Sequence, residues 1–419
     1  MTAMQKLRIL EDIDEKYIME ARPRRLLKYG ETKTQGFDAE DNSVLMVLET
    51  VLSVASIALI VGAVFIWTLV GKDLLRVENS GDSESSVTSE QENDDKPISA
   101  YSEGLEFKLN EKNDGYMVMG IGECKDTVIN IPPGYNGKPV TEIGEYAFQS
   151  CQKVIKVNIP KSVTVIGEGA FDKCKSLETV NLPSGIEVIN SRTFYFCRNL
   201  KTIDIPEGVT KISTYAFQQC SSLKEVTLPK SVVSIDQRAF AYCSALEKIT
   251  LNEGLEIISE YTFLHCESLE NFVIPDSVRE INGCAFQDCE KITDMTIPES
   301  VTVLGDCIFA SCDNLKNVVV NANVKEINRL FAESQKVESI VFGEGIEVIG
   351  EFSKGHLPML KQVVLPQSVR HIQWSQIVLF YGEITYNGTV AQWEAITKEY
   401  GKLGKPITVQ CIDGDLIIQ

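Results

Sequence analysis

The cysteines are the residues of this sequence whose type and spacing most suggest chemistry. The chain has 12 of them, and most return every 23 residues, each three residues after a phenylalanine. The regular series is Cys151, Cys174, Cys197, Cys220, Cys243, Cys266, Cys289 and Cys312. A thiol can form a disulfide, bind a metal or act as a nucleophile. The series therefore allows two interpretations: a disulfide or metal framework, or a column of packing groups.

The register of the series favours packing. A cysteine that always follows a core phenylalanine occupies one fixed position of a repeat, where it can serve as a small buried hydrophobe. Neither Cys284/Cys289 nor Cys307/Cys312 has CxxC spacing, and no histidine lies near either pair, which argues against zinc. We expect Cys284 and Cys307 to form a second column of buried thiols. The thiols expected to be more reactive lie in the two end regions, at Cys124 and Cys411.

The remaining residues give no catalytic pattern. The three histidines, His265, His356 and His371, fall in different registers of the repeat, and Asp413 and Asp415 lie together in a predicted turn. The sequence contains no phosphate-binding loop, GxSxG motif or dinucleotide-binding glycine pattern. We therefore predict a chain that is not an enzyme and that has no cofactor and no metal site.

The 23-residue period itself predicts the architecture. A fixed period of this length is typical of solenoids, in which each unit buries its apolar face against its neighbours. In the unit that begins at Leu223, alternation along a strand directs Leu223, Val226 and Leu228 inward and Glu225 and Thr227 outward. The sequence therefore predicts a parallel ladder of short strands with one face in solvent.

A second inward-facing segment follows in each unit, and we expect the RAFAYC stretch after it to be a helical turn that closes the rung. The first inward residue of the second segment recurs eleven times, at Val140, Val163, Ile186, Val209, Val232, Leu255, Val278, Val301, Val324, Ile346 and Val369. The cysteine position is predicted to be lost after Cys312. The predicted fold class is thus mainly β with short helical turns, a solenoid of about eleven rungs over residues 140–372.

An uncharged segment from Thr50 to Val70 predicts a single transmembrane helix within residues 43–71, because 21 helical residues rise about 31 Å. A cleavable signal peptide is the alternative, but about 40 polar residues precede the segment. Eight Lys or Arg residues come before it, which predicts a cytoplasmic amino end over residues 1–42 and an extracellular repeat domain. The bilayer contact is assigned to residues 44–70.

Three further segments complete the predicted organisation. Residues 72–100 are rich in Ser, Glu and Asp and read as an acidic disordered stalk. Residues 101–139 and 373–419 are predicted to cap the solenoid at its amino and carboxyl ends, the latter with a short helix at 390–398 and a closing strand pair. The net charge of -19 argues against nucleic acid as a partner.

The repeat unit resembles the leucine-rich repeats of the BspA-like surface proteins. The resemblance is carried by IPKSVTVIGEGAFDKCKSLETVNL (159–182), by YNGKPVTEIGEYAF (135–148) and by the tail segments YNGTVAQWEAI and CIDGDLI. It implies a repeat domain used at cell surfaces for adhesion or protein binding, and it supplies no catalytic residues. A weaker similarity of EDIDEKYIMEARP (11–23) to single-pass bacterial signalling proteins suggests an alternative, an envelope-sensing or regulatory protein whose residues 1–42 bind an internal partner.

The outward strand positions form the broadest regular surface and are the candidate binding face. They are Lys156, Asn158, Thr179, Asn181, Thr202, Asp204, Glu225, Thr227, Lys248, Thr250, Asn271, Val273, Asp294 and Thr296, followed by Asn317 and Val319. Small polar residues of this kind can hydrogen-bond a protein or a glycan, but an ordinary solvated sheet has the same composition. We expect a protein or glycan ligand here; the oligomeric state is left open.

Overall fold

The structure, a computed structural model, describes residues 101–351, 357–373, 382–398 and 407–418. The predicted cytoplasmic segment (1–42), transmembrane helix (43–71) and stalk (72–100) lie outside the described residues. Among the residues described, no helix combines the length and apolar character needed to cross a bilayer.

The amino-terminal region is built of short strands that join the repeat directly. Its strands are β1 (Glu106–Leu109), β2 (Tyr116–Gly120), β3 (Val128–Asn130), β4 (Gly134–Tyr135) and β5 (Lys138–Ile143). The antiparallel pair β1–β2 and the hairpin β4–β5 precede the first full rung, and β3 pairs in parallel with the first strand of that rung. The predicted cap therefore contributes a strand to the stack instead of only covering its end.

One side of the stack is a ladder of parallel strands, one from each 23-residue unit. Alternation works as predicted, because Val157, Val180 and Val226 are buried while their neighbours in the strand face outward. The strands are β6 (Lys156–Asn158), β8 (Thr179–Asn181), β10 (Thr202–Ile203), β12 (Glu225–Thr227), β14 (Lys248–Thr250), β17 (Asp294–Ile297), β19 (Asn317–Val320), β21 (Ser339–Phe342) and β23 (Gln362–Leu365). The ladder is interrupted between β10 and β12 and between β14 and β17.

A second parallel ladder contains the predicted second segments. The first inward residues of these segments are buried, except Val324, which is half-buried. The strands are β7 (Val165–Ile166), β9 (Val188–Ile189), β11 (Lys211–Ile212), β13 (Ser234–Ile235), β15 (Ile257–Ile258), β16 (Glu280–Ile281), β18 (Val303–Leu304), β20 (Glu326–Ile327), β22 (Val348–Ile349) and β24 (His371–Ile372). Each is only two residues long, so its stability depends on the strands above and below it.

The third side of each rung is a chain of tight turns, and the helical turn predicted for RAFAYC is wrong. Arg238 and Tyr242 have positive φ angles of 55° and 61°, which an α-helix does not contain. The Phe240 N–H donates to the carbonyl oxygen of Thr262 in the next rung at 3.0 Å, instead of to its own segment. Hydrogen bonds between rungs thus alternate with turn bonds inside the segment, such as that from the Cys243 N–H to the carbonyl oxygen of Phe240 at 3.2 Å, in place of the continuous i→i−4 pattern of an α-helix.

Two columns of side chains fill the centre of the stack. The phenylalanine rings lie nearly parallel from rung to rung; the rings of Phe217 and Phe240, for example, have centroids 5.1 Å apart and planes 5° apart. The cysteine column beside them is fully buried from Cys174 to Cys312, as predicted, and only its first member, Cys151, is half-buried. None of the described cysteines forms a disulfide.

Each buried thiol also makes a hydrogen bond that the sequence did not predict. The Sγ of Cys220 donates to the carbonyl oxygen of Phe194 in the preceding rung at 3.2 Å, and the same contact recurs at 2.9–3.3 Å along the column. The thiols therefore satisfy a buried backbone acceptor in addition to filling space.

The cysteine is lost after Cys312, as predicted, but its position in the column is not, because Ser334 occupies it. This rung is one residue shorter between Val324 and Phe331, so the equivalent position falls on 334 and not on 335. Ser334 is fully buried, and its hydroxyl donates to the carbonyl oxygen of Phe309 at 2.5 Å. The column thus continues with a hydroxyl in the role of the thiol.

The carboxyl-terminal region also extends the ladder. Strand β25 (Glu383–Tyr386) pairs in parallel with β23, and β26 (Ile407–Cys411) forms a closing hairpin with β27 (Gly414–Ile418). The one α-helix in the described residues, α1 (Val390–Thr397), begins with a capping box at Thr389 and packs its buried Trp393 against Tyr386. With β3 and β25 included, the solenoid has about 12 turns, one more than predicted.

Candidate binding face

The predicted outward positions lie on one face of the first ladder, and all are exposed or half-buried. Strand register places equivalent residues side by side: Glu225 next to Lys248 and Thr227 next to Thr250. The set from Lys156 to Thr296 therefore forms rows one strand spacing apart, about 4.8 Å, within each paired stretch, and the pairing breaks between β10 and β12 and between β14 and β17. The structure establishes this exposure and order, while binding at the face stays a prediction.

The ladder is interrupted in the middle of this face, where residues 271–275 form no strand. The inward residue of this rung is Phe272, whereas neighbouring rungs have Val226, Ile249 and Met295 at the same position. Its ring lies between two rings of the phenylalanine column, with centroids 6.3 Å from Phe263 and 5.3 Å from Phe286. We attribute the interruption to this larger side chain, which the narrow inward column cannot accommodate with regular strand pairing.

Val273 is the most exposed of the large hydrophobic residues in the described part of the chain. Its side chain is 82% exposed, on the outer side of the interrupted rung. An isolated apolar side chain on a protein surface is ordinary, but this one lies in the sixth of the seven rows from Lys156 to Thr296, whose other members are polar or charged. It gives that face a single apolar contact point.

The side chain of Asn271 bridges the interruption. Its Oδ1 accepts hydrogen bonds from the backbone N–H groups of Thr293 at 2.8 Å and Asp294 at 3.2 Å. In the next rung the corresponding N–H groups, of Lys316 and Asn317, donate to the backbone carbonyl of Thr293. Asn271 thus supplies from its side chain an acceptor that the backbone supplies elsewhere.

A hydrogen-bond cluster fixes the polar residues beside the interruption. Asp294 accepts hydrogen bonds from the Thr293 hydroxyl at 2.6 Å and from the Asn317 side-chain amide at 2.6 Å. These hydrogen bonds, that of Thr293 foremost, lower the pKa of Asp294 below its usual value. Asp294 is therefore a fixed negative charge on the face at neutral pH.

Glu225 and Lys248 are charged and exposed, and neither forms an ion pair with another residue that the structure describes. Elsewhere on the rungs equivalent charges do pair, as Lys201 does with Glu178 at 2.7 Å. The face thus offers fixed donors and acceptors, exposed charges that include Glu225 and Lys248, and one strongly exposed apolar side chain. These groups suit recognition of a partner, and they include no activated nucleophile.

The histidine with the most contacts does not form a catalytic site. The ring of His265 stacks on Tyr242 at 4.8 Å, and its Nε2 lies 3.3 Å from Asp288 Oδ2. Burial raises the pKa of Asp288, and the Ser311 side chain hydrogen-bonds this carboxyl group. Because Ser311 bonds the carboxyl group and not the imidazole, the set lacks the nucleophile–base hydrogen bond of a hydrolytic triad.

The cysteines for which the sequence predicted a second buried column or higher reactivity do not have the predicted environments. Cys284 and Cys307 are half-buried, so the predicted second column of buried thiols is wrong. Burial raises the pKa of Cys411, which makes it a weaker nucleophile than predicted. Within the described ranges, no three His, Cys, Asp or Glu side chains come together in a way that could hold a metal ion.

Solved structures with similar repeats come from several bacteria. A leucine-rich repeat protein from Bacteroides ovatus is 24% identical, with 74% of this chain and 98% of that chain covered and a TM-score of 0.48. A leucine rich cell surface protein from Faecalibacterium prausnitzii is 24% identical, with 77% and 100% covered and a TM-score of 0.41. The pneumococcal vaccine antigen PcpA is 16% identical, with 69% and 80% covered and a TM-score of 0.38.

No curated protein sequence matches this chain. A family model does: the BspA type leucine rich repeat region matches residues 141–269 and 256–378, with six copies. These ranges contain the listed strands of the two ladders, the phenylalanine column and the thiol column described above, and the resemblance inferred from the repeat unit is thereby confirmed. Since the match extends over more than half of the sequence, the chain belongs to the family of BspA type leucine-rich repeat proteins.

Proposed function

We propose that this chain is a membrane-anchored extracellular protein whose strand face binds another protein, in adhesion or recognition at the cell surface. The observation that carries the proposal is the ordered face itself, with polar rows from Lys156 to Thr296 and the exposed Val273 in the sixth of these seven rows. Family membership is consistent with a binding scaffold. A solenoid also suits this role because it presents an extended surface on a rigid core.

The residues of the face favour a protein partner over a glycan. Glu225 and Lys248 stand side by side with opposite charge, which selects a partner with complementary charges in a matching order. Val273 adds an apolar contact beside the polar cluster of Asn271 and Asp294. A protein segment combines apolar and charged groups in this way, whereas a neutral glycan offers no counter-charge.

Binding can be tested while the natural partner is still unidentified. A random peptide library displayed on phage is selected on the purified full-length chain, and the enriched peptides are titrated against variants of the face. Val273→Asp, Glu225→Lys and Lys248→Glu are each expected to weaken binding by about tenfold or more, as truncations of central contacts do. The charges and the apolar contact point would then belong to one site.

Two control variants carry the same kinds of substitution outside the strand face. Val303→Asp places the same charge at a valine that is 43% exposed on β18, in the other ladder, and Lys230→Glu reverses an exposed charge outside the face. Both should bind the selected peptides normally, and circular dichroism should show all variants folded. Full binding by Val273→Asp and by both charge reversals would refute the strand face as the site.

The topology is a separate part of the proposal. We propose that residues 44–70 hold the protein in the bilayer, with residues 1–42 inside the cell and the repeats outside. A membrane-impermeant amine reagent applied to intact cells is then expected to label repeat lysines such as Lys201 and Lys248, which are exposed, and to leave Lys6 and Lys28 unlabelled. Labelling of the amino-terminal lysines alone would reverse the orientation, and absence of repeat labelling until the cells are lysed would contradict an extracellular domain.

A further inference from the structure

A column of left-handed residues on the turn side of the stack brings two thiols together. One residue in each rung has a positive φ angle at the first turn position, which places its side chain at the surface directly above and below its equivalents. The column consists of Tyr146, Gly169, Arg192, Tyr215, Arg238, Tyr261, Cys284, Cys307 and Arg329. Cys284 and Cys307 are therefore direct neighbours in consecutive rungs.

The backbone holds the two cysteines at disulfide distance. Cys284 N–H donates to the carbonyl oxygen of Asp306 at 2.9 Å, and Cys307 N–H donates to that of Arg329 at 2.8 Å. The rings of Phe286 and Phe309, two residues further along the same two rungs, have centroids 5.8 Å apart, and a disulfide requires a Cα separation of about 4.4–6.8 Å. Both side chains are half-buried, so a small reagent can reach them, in contrast to the thiols of the core column.

The groups around the pair give its two thiols different pKa values. Tyr261 donates a hydrogen bond to the Cys284 sulfur, and Cys284 in turn donates to Cys307. The Cys284 hydrogen bond, with a smaller contribution from the Arg329 charge, lowers the pKa of Cys307 to about 7 against the opposing effects of partial burial and the Asp306 charge, while the same bond raises the pKa of Cys284. Near neutral pH about half of Cys307 is therefore thiolate, and Cys284 stays the thiol.

We propose that Cys284 and Cys307 form a thiol–disulfide exchange site that reacts with small disulfides. The Cys307 thiolate attacks one sulfur of the small disulfide, forms a mixed disulfide and releases one thiolate. Cys284 then loses its proton and attacks the Cys307 sulfur, which breaks the mixed disulfide and releases the second thiolate. The dithiol is oxidised to a Cys284–Cys307 disulfide, and the small disulfide is reduced to two thiols.

Other thiols of the chain provide internal comparisons. Cys151 is half-buried and adjacent to Cys174, but Cys174 is fully buried and its Sγ already donates to the Phe148 carbonyl oxygen at 2.9 Å. Oxidation of that pair would break a core hydrogen bond. Cys411 is half-buried with a raised pKa and is expected to react slowly.

Oxidised glutathione is a suitable probe for the full-length chain. After timed exposure, acid quenching and alkylation, peptide mass spectrometry should find a disulfide between Cys284 and Cys307 before any other. Cys284→Ser should stop at a glutathione adduct on Cys307, because the second attack is lost. Cys307→Ser should slow reaction at Cys284 by about tenfold or more, since the remaining thiol has little thiolate.

The pH dependence separates this site from general oxidation. Below about pH 7 the rate at which oxidised glutathione consumes Cys307 in the unmutated chain should fall about tenfold per unit, in proportion to the thiolate that remains on that residue. Cys411→Ser is the control variant and should form the Cys284–Cys307 disulfide at the normal rate, and circular dichroism should show each variant folded. Equal rates at Cys151–Cys174 and Cys284–Cys307, or a wild-type reaction that stops at the mixed disulfide, would overturn the proposal.

Discussion

Raising the pH from about 8 to about 10 in the presence of a reductant is expected to unfold the repeat stack, because its core holds protonated thiols. Seven cysteines of the column are fully buried in the folded chain. Burial raises their pKa values, that of Cys243 to about 12, whereas a thiol of the unfolded chain titrates near about 8.5. The unfolded chain therefore loses these protons in a pH range in which the folded chain keeps them.

The sign and size of the effect follow from proton linkage. The stability contributed by each buried thiol is fully present below the unfolded pKa of about 8.5 and is lost as the pH rises above it. Between about pH 8 and pH 10 the loss is about 2 kcal/mol for each thiol. Summed over the column, this loss is comparable with the whole unfolding free energy of a typical domain, about 5–15 kcal/mol.

Denaturant titrations at a series of pH values, monitored by circular dichroism, measure the effect. Replacing one core thiol, in Cys243→Ser, is expected to reduce the slope of unfolding free energy against pH by about 1.4 kcal/mol per unit above the unfolded pKa. Ser334 shows that a hydroxyl fits this column. Cys243→Val should reduce the slope equally, which assigns the change to the lost proton. A slope unaltered in both variants would contradict the linkage.

Truncation of one ring, in Phe240→Ala, is expected to cost about 3–5 kcal/mol of unfolding free energy. The ring is fully buried and lies between Phe217, with centroids 5.1 Å apart, and Phe263, with centroids 5.7 Å apart. The rung of Phe240 pairs with the following rung in both ladders and with the preceding rung through β11 and β13, and backbone hydrogen bonds join these rungs on the turn side, so the cavity cannot close by collapse. The loss should concentrate in the rungs that contact residue 240, because a solenoid unit contacts only its neighbours.

Equilibrium denaturation gives the total loss, and amide hydrogen exchange shows where in the stack it occurs. Val233→Ala is the control in the same rung; its side chain is 44% exposed, and the expected change is within about 0.5 kcal/mol. A loss below about 1 kcal/mol for Phe240→Ala would mean that the column contributes little to stability.

The sequence predicted the parts of the fold that repeat with a strict period. Inward and outward strand residues alternate as expected around Val226, and the thiols from Cys174 to Cys312 are buried as expected. These predictions succeed because burial imposes the same residue type on the same position of each rung. The prediction of a helical turn at 238–243 was wrong, because the sequence pattern does not distinguish a helix from a turn that contains left-handed residues.

Positions that depart from the period could not be interpreted from the sequence alone. Ser334 takes the thiol position only because the rung is one residue shorter, and β3 joins the ladder although its separation from β6 is longer than 23 residues. The interruption beside Val273 depends on how Phe272 packs between rings of other rungs. Each of these features is decided by contacts between units, which no single unit encodes.

By itself, then, the sequence determined that this protein is a stack of β rungs with a phenylalanine column and a thiol column, because one unit repeated at a fixed period can bury its apolar face only against copies of itself. Only the tertiary structure decided the chemistry of individual thiols. Burial keeps Cys243 protonated beside its backbone acceptor, whereas a half-buried position next to Cys284 lowers the pKa of Cys307 to about 7. The two residues have the same side chain, and their neighbours across the rungs set the difference.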